Sequence, residues 1–357
     1  MKNAVHFTEE DWMRIERDWG LFWQGKLERP IVCIPLVDSS TAPVPEYRYF
    51  FPNYGTTLSG TEIMRIESRQ MARMRFIGDA FPKRFLNFGP GSMATYLGSR
   101  LETAENTVWY HPLGKPLREI QIKTDEKSYW YGRVHEILDA GLSAWGNDVQ
   151  MSLSDIGGNL DILASLRGTE ELLMDLCDDP DRVEALSRDI TREWIKVYDA
   201  EAAKIQATCR GTTPWAPVWS KEKSYMFQCD LSYMFSEEMF DRFVAPDLEA
   251  CCDHIPASFY HLDGKGALKH LDSLLSIKKL KGIQWIPGAG QPEPQEWPEV
   301  LSKIRKAGKF CQVVYLTPQG AKKLKKTMDL RGFIIQINMP ENATPQEAER
   351  LYKELVV

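Results

Sequence analysis

The sequence lacks the cysteine patterns, long apolar runs and charge excess that mark several large classes of protein. Its seven cysteines are scattered, without any Cys-x-x-Cys pair, so we do not expect a disulfide scaffold. No apolar run approaches the roughly 20 residues that a membrane-spanning helix needs. The chain has 44 basic and 50 acidic residues and a formal charge of −6. The composition therefore gives no electrostatic case for binding nucleic acid or an anionic membrane.

Two further absences concern targeting and cofactor binding. The first residues, MKNAVHFTEEDW, are polar and then acidic, unlike a secretory signal peptide. With the unpaired cysteines, this predicts a reduced, cytoplasmic protein. No glycine-rich dinucleotide fingerprint follows an early strand. The 11 tryptophans and 13 methionines are many for 357 residues, and they indicate either a large aromatic core or a wide apolar cavity.

Short apolar runs alternate with amphipathic helical segments along most of the chain. Residues 8–24 have helical spacing, and Thr8 with Asp11 forms a capping signal at their start. The strand candidates are IVCIPLV, RFLNFGPG, VQMSLSDI, PWAPVWS, YMFQCD, SFYHLDG, KGIQWIPG, KFCQVVYL and IIQINM. No helix separates PWAPVWS from YMFQCD, so we expect one strand with a long loop there. Eight βα units then predict an α/β fold of the (β/α)8 TIM-barrel type.

Residues 100–135 interrupt the βα alternation. TVWYHPL and REIQIKT alternate polar and apolar residues in the strand period, around a Gly-Lys-Pro turn. We expect these two segments to form a β-hairpin inserted outside the main architecture.

Catalytic groups of a (β/α)8 barrel lie at the carboxyl ends of its strands, which selects candidates without an alignment. His261 and Asp263, in SFYHLDGKG, are two residues apart on one strand, so their side chains leave on the same face. They either share a pocket, or His261 is a hydrogen-bonded core residue and Asp263 caps the next helix. The polar and aromatic strand-end residues are Asp155, Asp230, His261, Asp263, Gln284, Trp285, Tyr315, Gln336 and Asn338.

At these residues the sequence resembles the uroporphyrinogen decarboxylase superfamily, which includes cobalamin-dependent methyltransferases. The resemblance is carried by QCDLSYMFSEEMFDRFVAPDLE (228–249), YHLDGKGALKHLD (260–272) and GIQWIPGAG (282–290). It implies a single uroporphyrinogen decarboxylase-like TIM-barrel domain over residues 1–357, with the insertion at about 100–135. Within the superfamily, the sequence most resembles the corrinoid methyltransferase branch.

Departures from the family pattern separate its branches. Uroporphyrinogen decarboxylases have an N-terminal Arg-Gln-Ala-Gly-Arg-Tyr stretch that holds substrate carboxylates. Here the region reads ERPIVCIPLVDSS, in which Arg29 precedes the strand, and Asp79 in FIGDAFP is a weak match for the pyrrole-binding aspartate. A substrate with many carboxylates needs several cations. Metal-free decarboxylation of a porphyrinogen-type or other carboxylated substrate is therefore the alternative function, and a catalytically silent small-molecule-binding barrel is a third.

The resemblance also implies a zinc site. Coenzyme M-type methyltransferases bind zinc through His-x-Cys and a later cysteine, whereas here Asp263 follows His261 and Cys311 begins a later strand. O-demethylating relatives use mixed glutamate and histidine ligands. Glu222 and Glu237 are fifteen residues apart, and His261 follows after twenty-four. We therefore expect His261, Glu222 and Glu237 as metal ligands.

The implied reaction moves a methyl group from a methoxy or methylamine-type molecule to a corrinoid protein, or from that protein to an acceptor. The chain has no Asp-x-His-x-x-Gly motif of its own, so cobalamin must come from a partner corrinoid protein. We expect His261, Asp263 and Asp230 to be catalytic, with Trp215 and Trp219 among the aromatic residues that wall the substrate. The expected substrate-binding residues are Asp155, Tyr260, Gln284, Trp285, Tyr315 and Asn338.

Overall fold

The computed structural model describes residues 5–357, in which short strands alternate with helices. The strands are β1 (Ile31–Val37), β2 (Met74–Gly78), β3 (Lys83–Leu86), β4 (Arg100–Thr103), β5 (Val108–His111), β6 (Gln150–Ser154), β7 (Ser224–Phe227), β8 (Ala257–Asp263), β9 (Gly282–Ile286), β10 (Phe310–Leu316) and β11 (Phe333–Ile337). The helices are α1 (Glu9–Trp23), α2 (Gly60–Ala72), α3 (Met93–Tyr96), α4 (Tyr129–Trp145), α5 (Asn159–Arg167), α6 (Thr169–Asp178), α7 (Pro180–Thr208), α8 (Glu237–Phe243), α9 (Ala245–His254), α10 (Leu271–Ser276), α11 (Pro298–Lys306), α12 (Pro318–Thr327) and α13 (Pro345–Val356).

A mostly parallel sheet of seven strands forms the centre of this mixed α/β fold. Its order is β2-β1-β11-β10-β9-β8-β7, and only the β1–β2 pair is antiparallel. A separate parallel pair joins β3 to β6. Within residues 5–357 the hydrogen-bonded ladders end at β2 and β7, so the expected closure into a barrel is not found.

The strand positions agree with most of the sequence pattern. PWAPVWS (214–220) forms no strand and leads as a loop into β7, as expected from the absence of a helix between them. Its two prolines have no N–H to donate to a sheet. The Thr8–Asp11 capping box is present at the start of α1. No helix within residues 5–357 has the length and apolar character needed to cross a bilayer.

Residues 100–135 contain a β-hairpin, but it is not the expected pairing of TVWYHPL with REIQIKT. β5 pairs with β4, which precedes it, rather than with REIQIKT (118–124), which follows it. REIQIKT contains the end of a short 3₁₀ turn and no strand. Ile120 is fully buried, so its apolar contact is with the core and not with a facing strand. Strand β2 was missed because it follows α2 with only Arg73 between them.

The two faces of the sheet are filled differently. Residues such as Tyr260, Leu262 and Trp285 face outward and belong to the main core between sheet and helices. The alternate residues face inward, because neighbouring side chains on a strand point to opposite sides. Near the amino ends of the strands, this inner face packs against α1 in an aromatic cluster that contains Trp12, Trp19, Phe22, Phe81, Trp219 and Phe259. The inner face is therefore filled at its amino end.

A buried ion pair also lies at the amino ends of the strands. Two guanidinium nitrogens of Arg29 donate to the Asp79 carboxylate, at 2.6 and 2.9 Å. The same carboxylate accepts the backbone N–H of Val32, the second residue of β1. Asp79 is fully buried, and Asp18 provides a second carboxylate to Arg29 at 2.8 Å. Arg29 and Asp79 thus hold the chain entering β1 and lie away from the strand ends where a site is expected.

Replacing Asp79 by alanine should destabilise the fold strongly, because it leaves the Arg29 guanidinium largely buried with less compensation. Loss of one partner of a buried pair costs about 3–5 kcal/mol, and we expect the lower end because Asp18 remains. Chemical denaturation measures this change. The matched control is Asp253→Ala, which breaks the exposed Asp253–Lys279 pair and should cost less than about 1 kcal/mol. Equal losses in the two variants would contradict the structural role of Asp79.

Candidate functional site

A cavity of about 330 Å³ opens at the carboxyl ends of β8, β9 and β10. Three carboxylates, an imidazole and two aromatic rings contribute to its wall. The lining residues are Pro90, Asp155, Trp215, Gln228, Asp230, His261, Asp263, Gln284, Ile286 and Tyr315. A volume of this size lies within the range of roughly 300–1,000 Å³ that is usual for small-molecule sites.

His261, Asp263 and Asp230 come together in this cavity. His261 and Asp263 lie on the same face at the end of β8, as the two-residue spacing predicts. Asp230 begins the short turn after β7, where the Asp161 carboxylate accepts the backbone N–H groups of Asp230 and Leu231 at 3.0 and 2.9 Å. One ligand atom of each of the three residues lies within 4.8 Å of the others. The expected catalytic trio is therefore a spatial cluster.

The carboxylates favour positive charge on His261. Burial by itself lowers the imidazole pKa, but Asp263, Asp230 and the contact with Gln284 outweigh it, so the pKa of His261 is raised. The Nε2 atom of His261 lies 3.8 Å from an Asp263 oxygen, which is too long for a direct hydrogen bond. The ring is also packed edge-to-face with Trp215, with centroids 5.1 Å apart.

Asp155 reaches the same cavity from the loop after β6. Gly158 lets this loop approach the strand-end segment after β7, since a Cβ there would lie 2.1 Å from the carbonyl oxygen of Gln228. The Oδ1 atom of Asp155 is buried and has no hydrogen-bond partner within the described chain. Burial, followed by the nearby Asp230, raises the pKa of Asp155 to about 8. Asp155 is therefore a neutral acid at neutral pH.

A row of amides extends from His261 across the inner face of the sheet. His261 Nδ1 contacts the side-chain oxygen of Gln284, and Gln284 Nε2 donates to Gln312 Oε1 at 2.8 Å. Gln312 was not among the residues selected from the sequence. The sequence does contain a pattern that could have selected it, because Gln312 interrupts the apolar run of β10 just as Gln284 interrupts that of β9.

Tyr315 lies over the cavity in an unusual backbone conformation. Its φ is 61°, and it is the only non-glycine residue with positive φ within residues 5–357. It lies where the pairing of β10 with β11 shifts register between Val313 and Leu316. Tyr315 is 63% exposed. Positive φ is strained for a tyrosine, and such strain clusters at functional sites.

A second cavity, of about 300 Å³, shares Trp215, Gln284 and Tyr315 with the first. Its other lining residues are mainly apolar and aromatic, including Phe76, Phe81 and Phe85, and Gln336 of β11 also contributes. Lys83 donates to the carbonyl oxygens of Trp215 and Ala216 at 2.7 and 2.6 Å, so it fixes the loop that carries Trp215. Burial lowers the pKa of Lys83.

Several expected substrate-binding residues lie elsewhere. Tyr260 and Trp285 point to the outer face and are almost fully buried among helices, because each is one residue away from an inward-facing position. Trp219 belongs to the aromatic cluster beside α1. Asn338 is exposed and does not line either cavity, although its backbone N–H donates to Leu316 at 2.9 Å.

The expected metal ligands Glu222 and Glu237 are not brought to His261. Glu222 precedes β7, whose Phe227 is paired with Tyr260, so Glu222 lies several residues below the level of His261. At about 3.3 Å per residue this separation is roughly 15–20 Å. Glu237 is exposed in the first turn of α8. Cys311 is fully buried near the amino end of β10. Among the described residues, the group near His261 that could hold a metal ion consists of Asp230, His261 and Asp263.

A larger cavity, of about 1050 Å³, lies at the opposite end of the sheet. It is lined by both acidic and basic side chains, including Glu28, Arg305 and Arg331. None of the three clustered residues of the smaller cavity contributes to it. Size alone therefore does not locate the candidate site in this fold.

The fold is similar to that of a solved methyltransferase from Methanosarcina mazei. The TM-score is 0.54, over 76% of this chain and 78% of that chain, and 12% of the aligned residues are identical. At this identity the likeness shows the fold alone. No family model matches the chain, and no curated protein matches its sequence.

The raised pKa of Asp155 predicts a pH-dependent effect of Asp155→Asn on stability. An acid with a higher pKa in the folded state contributes stability below its unfolded pKa and loses it as pH rises through the folded pKa. For Asp155 this window runs from its ordinary value of 3.8 to about 8. Asparagine does not titrate, so the variant does not lose this stability as the pH rises. The Tm of the variant minus that of the wild type should therefore increase by a few degrees from about pH 5 to about pH 8.5.

Thermal unfolding of both proteins across that range, without added metal, measures the difference. Asp253→Asn controls for the removal of a carboxylate at the exposed surface. A Tm difference between Asp155→Asn and wild type that stays constant with pH would contradict the perturbed pKa.

Proposed function

We propose that the protein is a methyltransferase that takes a methyl group from a methoxy or methylamine-type small molecule and delivers it to a corrinoid held by a partner protein. The convergence of Asp230, His261 and Asp263 in one cavity carries this proposal. It is supported by the fold likeness to a methyltransferase. For the finer fold we propose a uroporphyrinogen decarboxylase-type (β/α)8 barrel, whose eight strands would be β1, β3 and β6–β11.

The cluster is suited to zinc. Two ligands of one tetrahedral zinc, each about 2.0–2.2 Å from the ion, lie roughly 3.3 Å apart, close to the 3.8 Å between His261 Nε2 and the Asp263 oxygen. One histidine and two carboxylates leave room for a substrate atom, as in catalytic zinc sites. When bound, zinc supplies a Lewis acid that polarises the leaving oxygen or nitrogen.

Asp155 has the properties of the proton donor for a methoxy substrate. As the methyl carbon–oxygen bond breaks, the electron pair stays on the oxygen, which takes the carboxyl proton of Asp155. In the metal-free chain, burial raises the pKa of Asp155 to about 8, which favours a protonated carboxyl group at neutral pH. Trp215 and Tyr315 line the cavity beside it and would contact the substrate.

The charge of the cavity argues against the alternative decarboxylase. Among the described residues that line it, Asp230 and Asp263 are carboxylates, Asp155 is a further acid with a raised pKa, and none is a lysine or arginine. A polycarboxylate would meet repulsion there, because carboxylate recognition uses cationic partners. Arg29 is the arginine in the region that corresponds to the family's substrate-binding stretch. It is paired with Asp79 at the amino ends of the strands. The wall instead suits a neutral or cationic molecule.

The metal content of purified protein tests the ligand set. We expect about one zinc per chain in the wild type and little in His261→Ala or Asp263→Ala, since each change removes one of three ligands. Glu222→Gln and Glu237→Gln are matched controls and should retain zinc. Elemental analysis after zinc addition and desalting makes the measurement. Retention in His261→Ala, or loss in Glu222→Gln, would place the metal elsewhere.

Methyl transfer to free cob(I)alamin tests the reaction itself. Zinc-loaded protein should consume cob(I)alamin in the presence of a substrate from a panel of small methyl ethers and methylamines, which the visible spectrum records. Asp155→Asn should slow transfer from an ether by about 10²–10⁴-fold, the usual contribution of a general acid. Release of CO₂ from a carboxylated substrate without metal would favour the decarboxylase. Ligand binding without any turnover would favour the silent barrel.

A further inference from the structure

Three polar side chains form a continuous row across three neighbouring strands. Gln284 is in register with His261 on one side and with Gln312 on the other. All three residues therefore lie at one level on the inner face of the sheet. Gln284 and Gln312 are 1% and 0% exposed. Buried amides of this kind are satisfied by protein partners, since unpaired polar groups in the interior are costly.

The row ends at a backbone carbonyl group. Gln312 Nε2 lies 3.3 Å from the carbonyl oxygen of Pro217, in the loop between α7 and β7. Lys83 also anchors that loop, because its side-chain nitrogen donates to the neighbouring carbonyl oxygens of Trp215 and Ala216. The position of the Pro217 carbonyl is thus fixed independently of the histidine.

This carbonyl gives the row a direction. A carbonyl oxygen only accepts hydrogen bonds, so the NH₂ group of Gln312 must face Pro217 and its oxygen must face Gln284. The NH₂ group of Gln284 then faces Gln312, which leaves the Gln284 oxygen towards His261. Reversing either amide would bring two acceptors or two donors together in a buried place, with a penalty of about 1–3 kcal/mol.

We infer that Gln312 is a positioning residue that acts through Gln284 to keep the proton of neutral His261 on Nδ1, so that Nε2 offers its lone pair to the cavity. Since the Gln284 oxygen accepts, Nδ1 of His261 must be the donor. Asp263 favours the opposite tautomer, since a carboxylate beside Nε2 accepts a proton there, but its oxygen lies 3.8 Å from Nε2, too far for a direct hydrogen bond. The inference concerns the chain's own hydrogen bonds and holds whether or not the proposed reaction is correct.

The orientation matters for any use of His261 in the cavity. Only an unprotonated Nε2 can accept a proton or bind a metal ion, and that atom faces Asp263 and lies in the cluster with Asp230. Hydrogen bonds behind a metal-binding histidine fix its tautomer, and their loss typically lowers metal affinity 10–100-fold. Gln312 would therefore influence the site although it does not line the cavity.

NMR of the full-length chain, with its histidines labelled with ¹⁵N, reads the tautomer directly. Spectra are recorded with a chelator present and at a pH where His261 is neutral, and His261→Ala identifies its signals. The wild type should show a protonated Nδ1 and an unprotonated Nε2. Gln312→Met removes both hydrogen bonds at similar size, so Gln284 is freed to reverse. The His261 signals should then shift towards a mixture of the two tautomers.

Two further variants separate positioning from general packing. Gln312→Glu still offers an oxygen to Gln284, and its buried protonated carboxyl group donates to Pro217, so the wild-type tautomer should return. Gln336→Met changes a glutamine outside the row and should leave the tautomer unchanged. Zinc affinity, measured against a chromophoric chelator, should fall at least 10-fold in Gln312→Met and recover in Gln312→Glu.

An unchanged Nδ1-protonated signal in a folded Gln312→Met protein would overturn the inference. So would a tautomer mixture in Gln312→Glu, which keeps the acceptor. If Gln312→Met does not fold, Gln284→Glu is the decisive variant. Its buried, protonated carboxyl group donates to Gln312 and still accepts from Nδ1, so the wild-type tautomer is expected, and a different tautomer overturns the inference.

Discussion

The alternation of side chains along parallel strands is the constraint on which this structure depends. Each strand of the main sheet must supply apolar residues to the helices on one side and to the inner space on the other. At the amino ends, α1 fills the inner space with aromatic rings. At the carboxyl ends no comparable apolar cluster is present within residues 5–357, and polar residues take the inward positions. One end of the sheet is therefore structural and the other is available for chemistry.

The electrostatics of the two ends follow the same division. At the amino end, Arg29 compensates the buried Asp79, and both charges are satisfied by the chain itself. At the carboxyl end, carboxylates gather around a single imidazole, and one oxygen of Asp155 has no partner among the described residues. Carboxyl groups whose charge is not compensated by the chain have raised pKa values, and they can bind a cation or transfer a proton.

The sequence predicted the parallel strands, the pairing of His261 with Asp263 on one face, and the approach of Asp230. Each follows from local spacing or from the rule that strand ends share one edge. Tyr260 and Trp285 were placed wrongly with respect to the cavity, because the pattern shows which residues alternate but not which set faces inward. Glu222 and Glu237 were selected by spacing along the chain, which does not reveal at which end of the sheet a residue lies. Asp161, which orients the turn at Asp230, depends on a contact across 69 residues that no local pattern contains.

Tyr315 has a consequence for how this protein tolerates change. Glycine adopts a φ of 61° without steric cost, whereas for a tyrosine such a conformation typically costs about 1–3 kcal/mol. A glycine at this position would relieve backbone strain but remove the aromatic ring from the rim of both cavities. At this one residue the backbone conformation favours glycine, whereas the walls of the two cavities are built with an aromatic ring.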